Sequence, residues 1–504
     1  MIRRRSRPSR RDAGPMDVVV VGAGLSGLAA AMHLRGAGHR VTVLEREEVP
    51  GGRNGTLERD GFRFDTGPTV LTMVPLLEDA FAAVGSSVAE HLKLKLLDPA
   101  YHAFFADGSS LRVRPGHELM RAEIAAECGS RDAAAFDRFV DWLKKLNDVE
   151  VPNFIDVNFD SPLGLFRNPL AAARLVQLGG FGRLGRAVGR RFADERLHRV
   201  FSFQAMYAGM APARALAIYA VITYMDSIEG VWFPDGGMHA VPRAMAAAAA
   251  EAGVEFRYEC TVERVEQGSD GAVTGARLAG GELVAADAVV VTADLPTAYE
   301  RLLPNLRPPR TVRGGQYSPS ALVWHVGVRG ELPAGVGHHN IHFGKAWDEA
   351  FADLLDRGVP MADPSRFVAV PSLDDDTAAP AGHHSLYVLE PVPNLHVGKV
   401  DWHTEGPRLR DRMRHSLQEF GYPSEIVTEE LVTPLDWESQ GMAAGTPFAL
   451  AHTFPQTGPF RPRNVDKRAP GLVFAGSGTT PGVGIPMVLI SGKLAARRVE
   501  GMRG

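Results

Sequence analysis

The chain reads as an α/β protein carrying an α+β insertion, and three observations predict this class. A β-branched run, Val18 to Val21, leads into a glycine-rich turn, a helical stretch and a second strand ending on an acid, all within Asp17 to Glu45. Helix and strand patterns return between residues 235 and 300, and again after residue 465. The stretches between them hold strands of another sheet, Ser320 to Val328, Arg366 to Leu373 and Ser385 to Val392, with an amphipathic helix at Pro407 to Phe420. One domain is thus interrupted by a two-part second one. The expected boundaries are 17–90, 235–300 and 465–504 for the first, and 91–234 with 301–464 for the second.

Size and composition agree. At 504 residues the chain exceeds one compact core, and 45% hydrophobic with 23% charged residues is ordinary for a globular protein. A net charge of -4 gives no electrostatic footprint for nucleic acid. Cys128 and Cys260 are far apart, which excludes a disulfide framework and suits a reducing cytoplasm. The basic stretch 1–16 lacks the apolar core of a secretory signal and is read as a disordered tail, with Met16 just before the first strand. The longest apolar run, Ala215 to Met225, falls short of the roughly 18–20 residues that span a bilayer. It is read as core, with a cavity wall as the alternative.

In the opening unit, Gly22-Ala23-Gly24-Leu25-Ser26-Gly27 has the GxGxxG spacing between strand and helix. Gly22 allows the tight turn, Gly24 lets the backbone approach a pyrophosphate, and Gly27 lets helix and strand pack closely. The helix N-terminus offers free N–H groups to phosphates. Glu45, 23 residues after Gly22, can accept hydrogen bonds from a ribose diol. This is a Rossmann-type dinucleotide site, open to NAD or FAD.

Gly51-Gly52-Arg53 follows the acid and presents an arginine that can reach a diphosphate. A second glycine-proline turn, Gly67-Pro68-Thr69, comes after a short strand. Together ExxxxxGGR (Glu45 to Arg53) and FxFDxGPT (Phe62 to Thr69) resemble the superfamily of FAD-containing amine oxidases and carotenoid desaturases. That resemblance implies FAD. GVWFPDGGM (Gly230 to Met238), HHNIHFGKAW (His338 to Trp347) and GSGTTPGVGIPMVLISG (from Gly476) are similar to bacterial-type phytoene desaturases, and the likeness runs from about Asp17 to Val499. A cysteine-linked flavin near the C-terminus, found in many amine oxidases, is excluded because the last cysteine is Cys260.

The cofactor set expected from spacing and resemblance is Gly22, Gly24, Leu25, Ser26, Gly27, Glu45, Arg46, Gly52, Arg53, Gly67, Pro68, Thr69, Val262, Gly476, Gly478, Thr479, Gly484, Ile485, Pro486 and Met487. By resemblance the Val262 backbone meets the adenine; a plain core valine is the competing reading. Gly471 to Ala475 is read as a last strand, Gly476 to Gly484 as its turn and Ile485 to Arg498 as a helix whose N-terminus faces the flavin. The family pattern has glycine where this chain has Met487.

The resemblance also implies a polyene substrate, phytoene, drawn from a membrane, with oxygen or a quinone as electron acceptor. Ser161 to Phe192, with six arginines, no acid and repeated Leu, Phe and Val, is expected to be an interfacial segment within a helical part at about 154–192. A solvated basic face is the alternative. The protein is then cytoplasmic and peripheral on the inner face of the cell membrane. No metal is expected, since adjacent histidines on strands point to opposite faces. No catalytic residue is assigned: Asp226 and Glu229 could face the cavity, but a loop or surface role is the preferred reading for each. Alternatives are a C30 diapophytoene desaturase, a ketolase, isomerase or saturase, or a non-catalytic prenyl-binding escort protein of the same fold.

Overall fold

The computed structural model describes residues 14–503, so most of the expected basic tail lies outside the described residues. The Met16 carbonyl accepts from Arg40 N (3.0 Å), which ties the residue before the first strand to the second.

Five parallel strands form one sheet in the order Leu472–Phe474, Ala288–Val291, Asp17–Val21, Arg40–Leu44, Glu255–Arg257. The first strand sits centrally, with Val18 opposite both Val41 and Ala288. Its unbroken valine run follows from burial on both faces. Val18 and Val20 pack among the residues of the first helix (Leu25–Gly36) and the closing helix (Ile485–Glu500), whereas Val19 and Val21 pack with Val265, Val289 and Leu302. The two helices cross closely: a Cβ on Gly492 would collide with the Ser26 carbonyl oxygen.

The second sheet has seven strands, in the order Glu425–Val432, Ser320–Arg329, His383–Val392, Arg366–Ala369, His339–Phe343, Tyr101–Phe105, Ser110–Val113. Only the pair His339–Phe343 and Tyr101–Phe105 is parallel. Along Ser320–Arg329 the side chains divide by parity. Leu322, Trp324, Val326 and Val328 pack beneath Leu409, Met413 and Leu417 of the helix Trp402–Glu419. Ala321 and Val323 face the other way, with Tyr387, Trp437 and Met442, into a large cavity.

Two boundaries differ from expectation. The amphipathic helix begins at Trp402, not Pro407, because Asp401 caps it by accepting from His403 N (3.2 Å) and from the Thr404 hydroxyl (2.7 Å). Pro407 therefore sits in the second turn, where it forfeits one backbone bond. The alanine run expected as a helix over Ala244 to Ala252, with Gly253 as its stop, forms a helix over Ala240–Glu251, and Gly253 follows at a φ of +94° that only glycine adopts readily. The Ser161 to Phe192 segment is no single helix. It breaks into a 3₁₀ turn (Pro162–Phe166) and two helices (Pro169–Gln177 and Leu184–Gly189), parted by Gly179, Gly180 and Gly182. No helix among the described residues is long and apolar enough to cross a membrane.

Candidate active site

One cavity of about 1180 Å³ runs from the glycine turns of the parallel sheet to the inner face of the seven-stranded sheet. Every expected cofactor residue except Gly27 lines it. Gly27 instead does the packing its position predicts: a Cβ there would collide with the Gly22 carbonyl, so the first helix can lie on its own turn only with glycine. Gly24 is different. The nearest atoms to a Cβ built on it, Gly51 O and Gly52 Cα, are 4.0 Å away, so the space beside it is open to a ligand. That pairing of a filled contact and an open one is what a pyrophosphate cradle requires.

Glu45 is buried and bridges the loop. Its Oε2 accepts from Ala23 N (2.6 Å) and its Oε1 from Glu47 N (3.0 Å). Each oxygen keeps a further lone pair for a ribose hydroxyl. Arg46 is exposed at the rim, paired with Glu47 (2.8 Å). Arg53 reaches across to the last loop, donating to the Ser477 hydroxyl and pairing with Asp294 (3.4 Å). It thereby joins the first glycine region to the last. Thr69 lies at the junction of the two sheets, its carbonyl 3.1 Å from the buried His339 Nε2. Val262 opens the strand Val262–Gln267 and is at once buried and cavity-lining, so its two readings are compatible.

The closing loop is held from beneath. Arg461 is fully buried and donates to four carbonyls: Thr479 (3.0 Å), Gln456 (3.2 Å), Leu450 (3.2 Å) and Ser477 (2.6 Å). Burial with no carboxylate in contact lowers its pKa to about 10. The Ser491 hydroxyl, from the closing helix, accepts from Gly476 N (3.0 Å). Ile485, Pro486, Met487 and Val488, the first turn of that helix, face the cavity.

Sequence reasoning missed three contributors. Asp294 carried a signal, an acid just before a Leu-Pro helical start, and it also accepts from Ala443 N (3.0 Å). Arg461 carried none, being an isolated arginine in a loop. For Asp226 the preferred surface or loop reading is corrected in favour of its alternative: it is 1% exposed and lines the cavity. The cause is a π-helical turn, Tyr224–Ile228, in which Glu229 N donates five residues back to Tyr224 O (3.1 Å) and rotates Asp226 inward. The run Ala215 to Met225 is core and wall together: Ile218, Tyr219, Val221, Ile222 and Met225 all line the cavity.

The histidines are engaged elsewhere. His338 Nδ1 meets Asp374 (2.7 Å), His339 bridges the Ala100 and Thr69 carbonyls, and His342 meets the Tyr422 hydroxyl (3.1 Å). Among the described residues no three His, Cys, Asp or Glu side chains gather as a metal site would require.

The comparisons agree with this geometry. Residues 25–500 match the family model of flavin containing amine oxidoreductases. The chain is 54% identical over 496 residues to a phytoene dehydrogenase of Streptomyces griseus, covering 97% of this chain and 96% of that one. It is 38% identical to a zeta-carotene-forming phytoene desaturase of Myxococcus xanthus, covering 96% and 93%. Among solved structures, a putrescine oxidase bound to putrescine superposes with a TM-score of 0.60 at 18% identity, over 96% of this chain and 99% of that one, a likeness of fold alone. The cofactor is FAD, and the chain belongs to the flavin containing amine oxidoreductase family, in its bacterial phytoene desaturase branch.

Proposed function

We propose that the protein is an FAD-dependent desaturase that introduces double bonds into phytoene, yielding lycopene or a partly desaturated carotene. The observation that carries the reading is that one cavity of about 1180 Å³ holds both the cofactor cradle and, continuous with it, a long stretch of apolar walls. Its walls are Phe203, Ile218, Ile222, Phe343, Phe367 and Leu389, drawn from the helical segment and from the seven-stranded sheet. Such walls bind and orient a long hydrocarbon and exclude water.

When bound, FAD supplies an acceptor for two electrons and one hydrogen of a C–H bond. The chain's own groups hold it and tune it. Gly24 leaves room for the pyrophosphate, Glu45 offers its carboxylate to the ribose, and the free N–H groups at the start of the closing helix favour negative charge on the ring system. Arg461 and Arg53 fix the loop that carries that helix. Apolar walls align the polyene so that its allylic C–H bonds present to the flavin. The electrons then pass to oxygen or a quinone.

Phytoene dissolves in membranes, and the Ser161 to Phe192 segment suits a lipid surface. Leu163 (74%), Phe166 (64%), Leu170 (82%) and Val176 (64%) are exposed there. Arg167, Arg174, Arg183, Arg186 and Arg190 are exposed beside them, while Arg191 is taken by Trp142, over whose ring it lies at 4.0 Å. Apolar side chains ringed by arginines dock on anionic lipid. In the same segment Leu165, Leu175 and Phe181 line the cavity, which gives a path from lipid to flavin.

The test is to incubate purified holoenzyme with 15-cis-phytoene in liposomes and separate the pigments by chromatography. Products of longer conjugation are expected. Their absence both under air and with added quinone would overturn the reading.

A further inference from the structure

Removing two hydrogens from adjacent carbons leaves one proton to be placed, and the cavity walls hold few groups that can take it. Glu45 and Asp294 are committed within the cradle, to the Ala23 and Glu47 N–H groups and to Arg53. Glu150 is 4% exposed, with Oε1 unpartnered, and burial alone pushes it well above the usual carboxylate range. That shift favours its neutral carboxyl form. His452 is buried in the opposite sense, its pKa driven well below the usual imidazole value by desolvation and, less, by Arg461, so it binds a proton poorly.

Asp226 differs from all of these. Gln204 Nε2 donates to its Oδ2 (3.3 Å) and the Ser227 hydroxyl to its Oδ1 (2.8 Å), so a side chain donates to each oxygen and, among the described residues, no cation pairs with it. The titratable groups facing it are the phenols of Tyr101, from the strand Tyr101–Phe105, and Tyr207, from the turn Phe203–Ala208. Both are raised chiefly by burial, Tyr101 next by Tyr207 and then by the Asp226 charge, Tyr207 next by the Asp226 charge. A short chain of contacts links the Tyr101 side of this wall to the cradle loop. The Tyr101 ring packs on His339 (centroids 5.6 Å apart), and His339 Nε2 lies 3.1 Å from the carbonyl of Thr69 in the cradle. Leu71, two residues on, accepts at its carbonyl from Trp232 N (2.8 Å), tying the strand after the π turn to the same loop.

We infer that Asp226 is the proton acceptor of the desaturation, a catalytic base turned into the polyene cavity by the π turn. The inference rests on the desaturase reading above. One C–H bond of the polyene breaks and its hydrogen leaves with both electrons to the flavin. The C–H bond on the adjacent carbon then breaks, its electron pair becomes the new C=C bond, and its proton goes to an Asp226 carboxylate oxygen. The carboxyl returns that proton to water once the product has left. Burial raises the Asp226 pKa to about 7, against the opposing pull of Ser227 and Gln204, which suits a base working near neutrality.

The experiment measures initial rates of the holoenzyme on liposomal 15-cis-phytoene from about pH 5.5 to 9, beside Asp226→Asn and Gln204→Met. The wild-type rate is expected to fall about tenfold per pH unit below about pH 7, as Asp226 becomes protonated. Asp226→Asn is expected to keep its FAD by flavin absorbance, to be roughly 100-fold slower at pH 8 and to lack that limb. Independently of turnover, infrared difference spectra should show a buried carboxylic carbonyl band lost between pH 6 and 8, missing in Asp226→Asn. Gln204→Met removes a donor to the ionised form, so both the band and the limb should move to higher pH. An Asp226→Asn rate within threefold of wild type, or an infrared midpoint indifferent to both substitutions, overturns the inference. If Asp226→Asn fails to fold, an unmoved midpoint in Gln204→Met overturns it alone. A wild-type enzyme that makes no product at any pH sinks the desaturase reading instead, and the infrared midpoint still assigns the carboxyl.

Discussion

The cofactor cradle and the apolar tunnel share one cavity and are built by opposite means. The cradle is backbone: Gly22, Gly52, Gly476 and Gly484 hold φ values between +56° and +114°, and its few side chains, Glu45, Arg53 and Arg461, are spent on N–H groups, carbonyls and a neighbouring hydroxyl. The tunnel is side chain: apolar residues on one sheet face and on interrupted helices, two of them ending in π turns at Val151–Ile155 and Tyr224–Ile228. A backbone site tolerates no added atom where chain meets chain. A tunnel of side chains tolerates exchange of volume for volume.

This contrast can be broken or sharpened by substitution. The largest effect is expected at Gly27→Ala, whose Cβ would collide with the Gly22 carbonyl. We expect about 3 kcal/mol or more of destabilisation, read as a lower thermal midpoint of apoprotein and holoprotein alike. An unshifted midpoint would show that the cradle yields as easily as the tunnel. Arg461→Met comes next. It leaves four buried carbonyls short of a donor, and should cost about 2–3 kcal/mol and loosen FAD together, measured by midpoint and flavin stoichiometry. Gly24→Val separates fold from ligand: with 4.0 Å of clearance to protein atoms, the apoprotein midpoint should stay put while FAD affinity falls at least about tenfold. Retention of full flavin stoichiometry would remove Gly24 from the pyrophosphate contact. The smallest effect is expected outside both regions. Leu163→Asp with Leu170→Asp should weaken binding to anionic liposomes about tenfold, leaving midpoint and FAD content unchanged. Reversing the exposed arginines should weaken it more at low salt than at high.

The same contrast explains what could be read from the sequence. GxGxxG, GGR, GPT and the closing GSGTTPGVG are legible because a positive φ or a close approach admits little besides glycine, so structure writes itself into residue identity. Strands such as Ser320–Arg329 were legible from their β-branched run, though not which parity faced the cavity. Asp226 was not legible: a π turn shifts the helical phase by one residue, and nothing in YMDSI marks the insertion. Arg461 was invisible because its partners are carbonyls, which every residue has. The helix expected from Pro407 starts five residues earlier, at Trp402, because the Asp401 side chain caps it.

The crossing of the first and closing helices, where Gly492 rests on the Ser26 carbonyl, makes the cofactor site a product of two distant stretches of chain. The strand Leu472–Phe474 and the closing helix complete the sheet and the loop that the opening turn begins. A protein clipped ahead of residue 472 is expected to lose its flavin while keeping the turn that first signalled it, which flavin absorbance of the purified fragment would check.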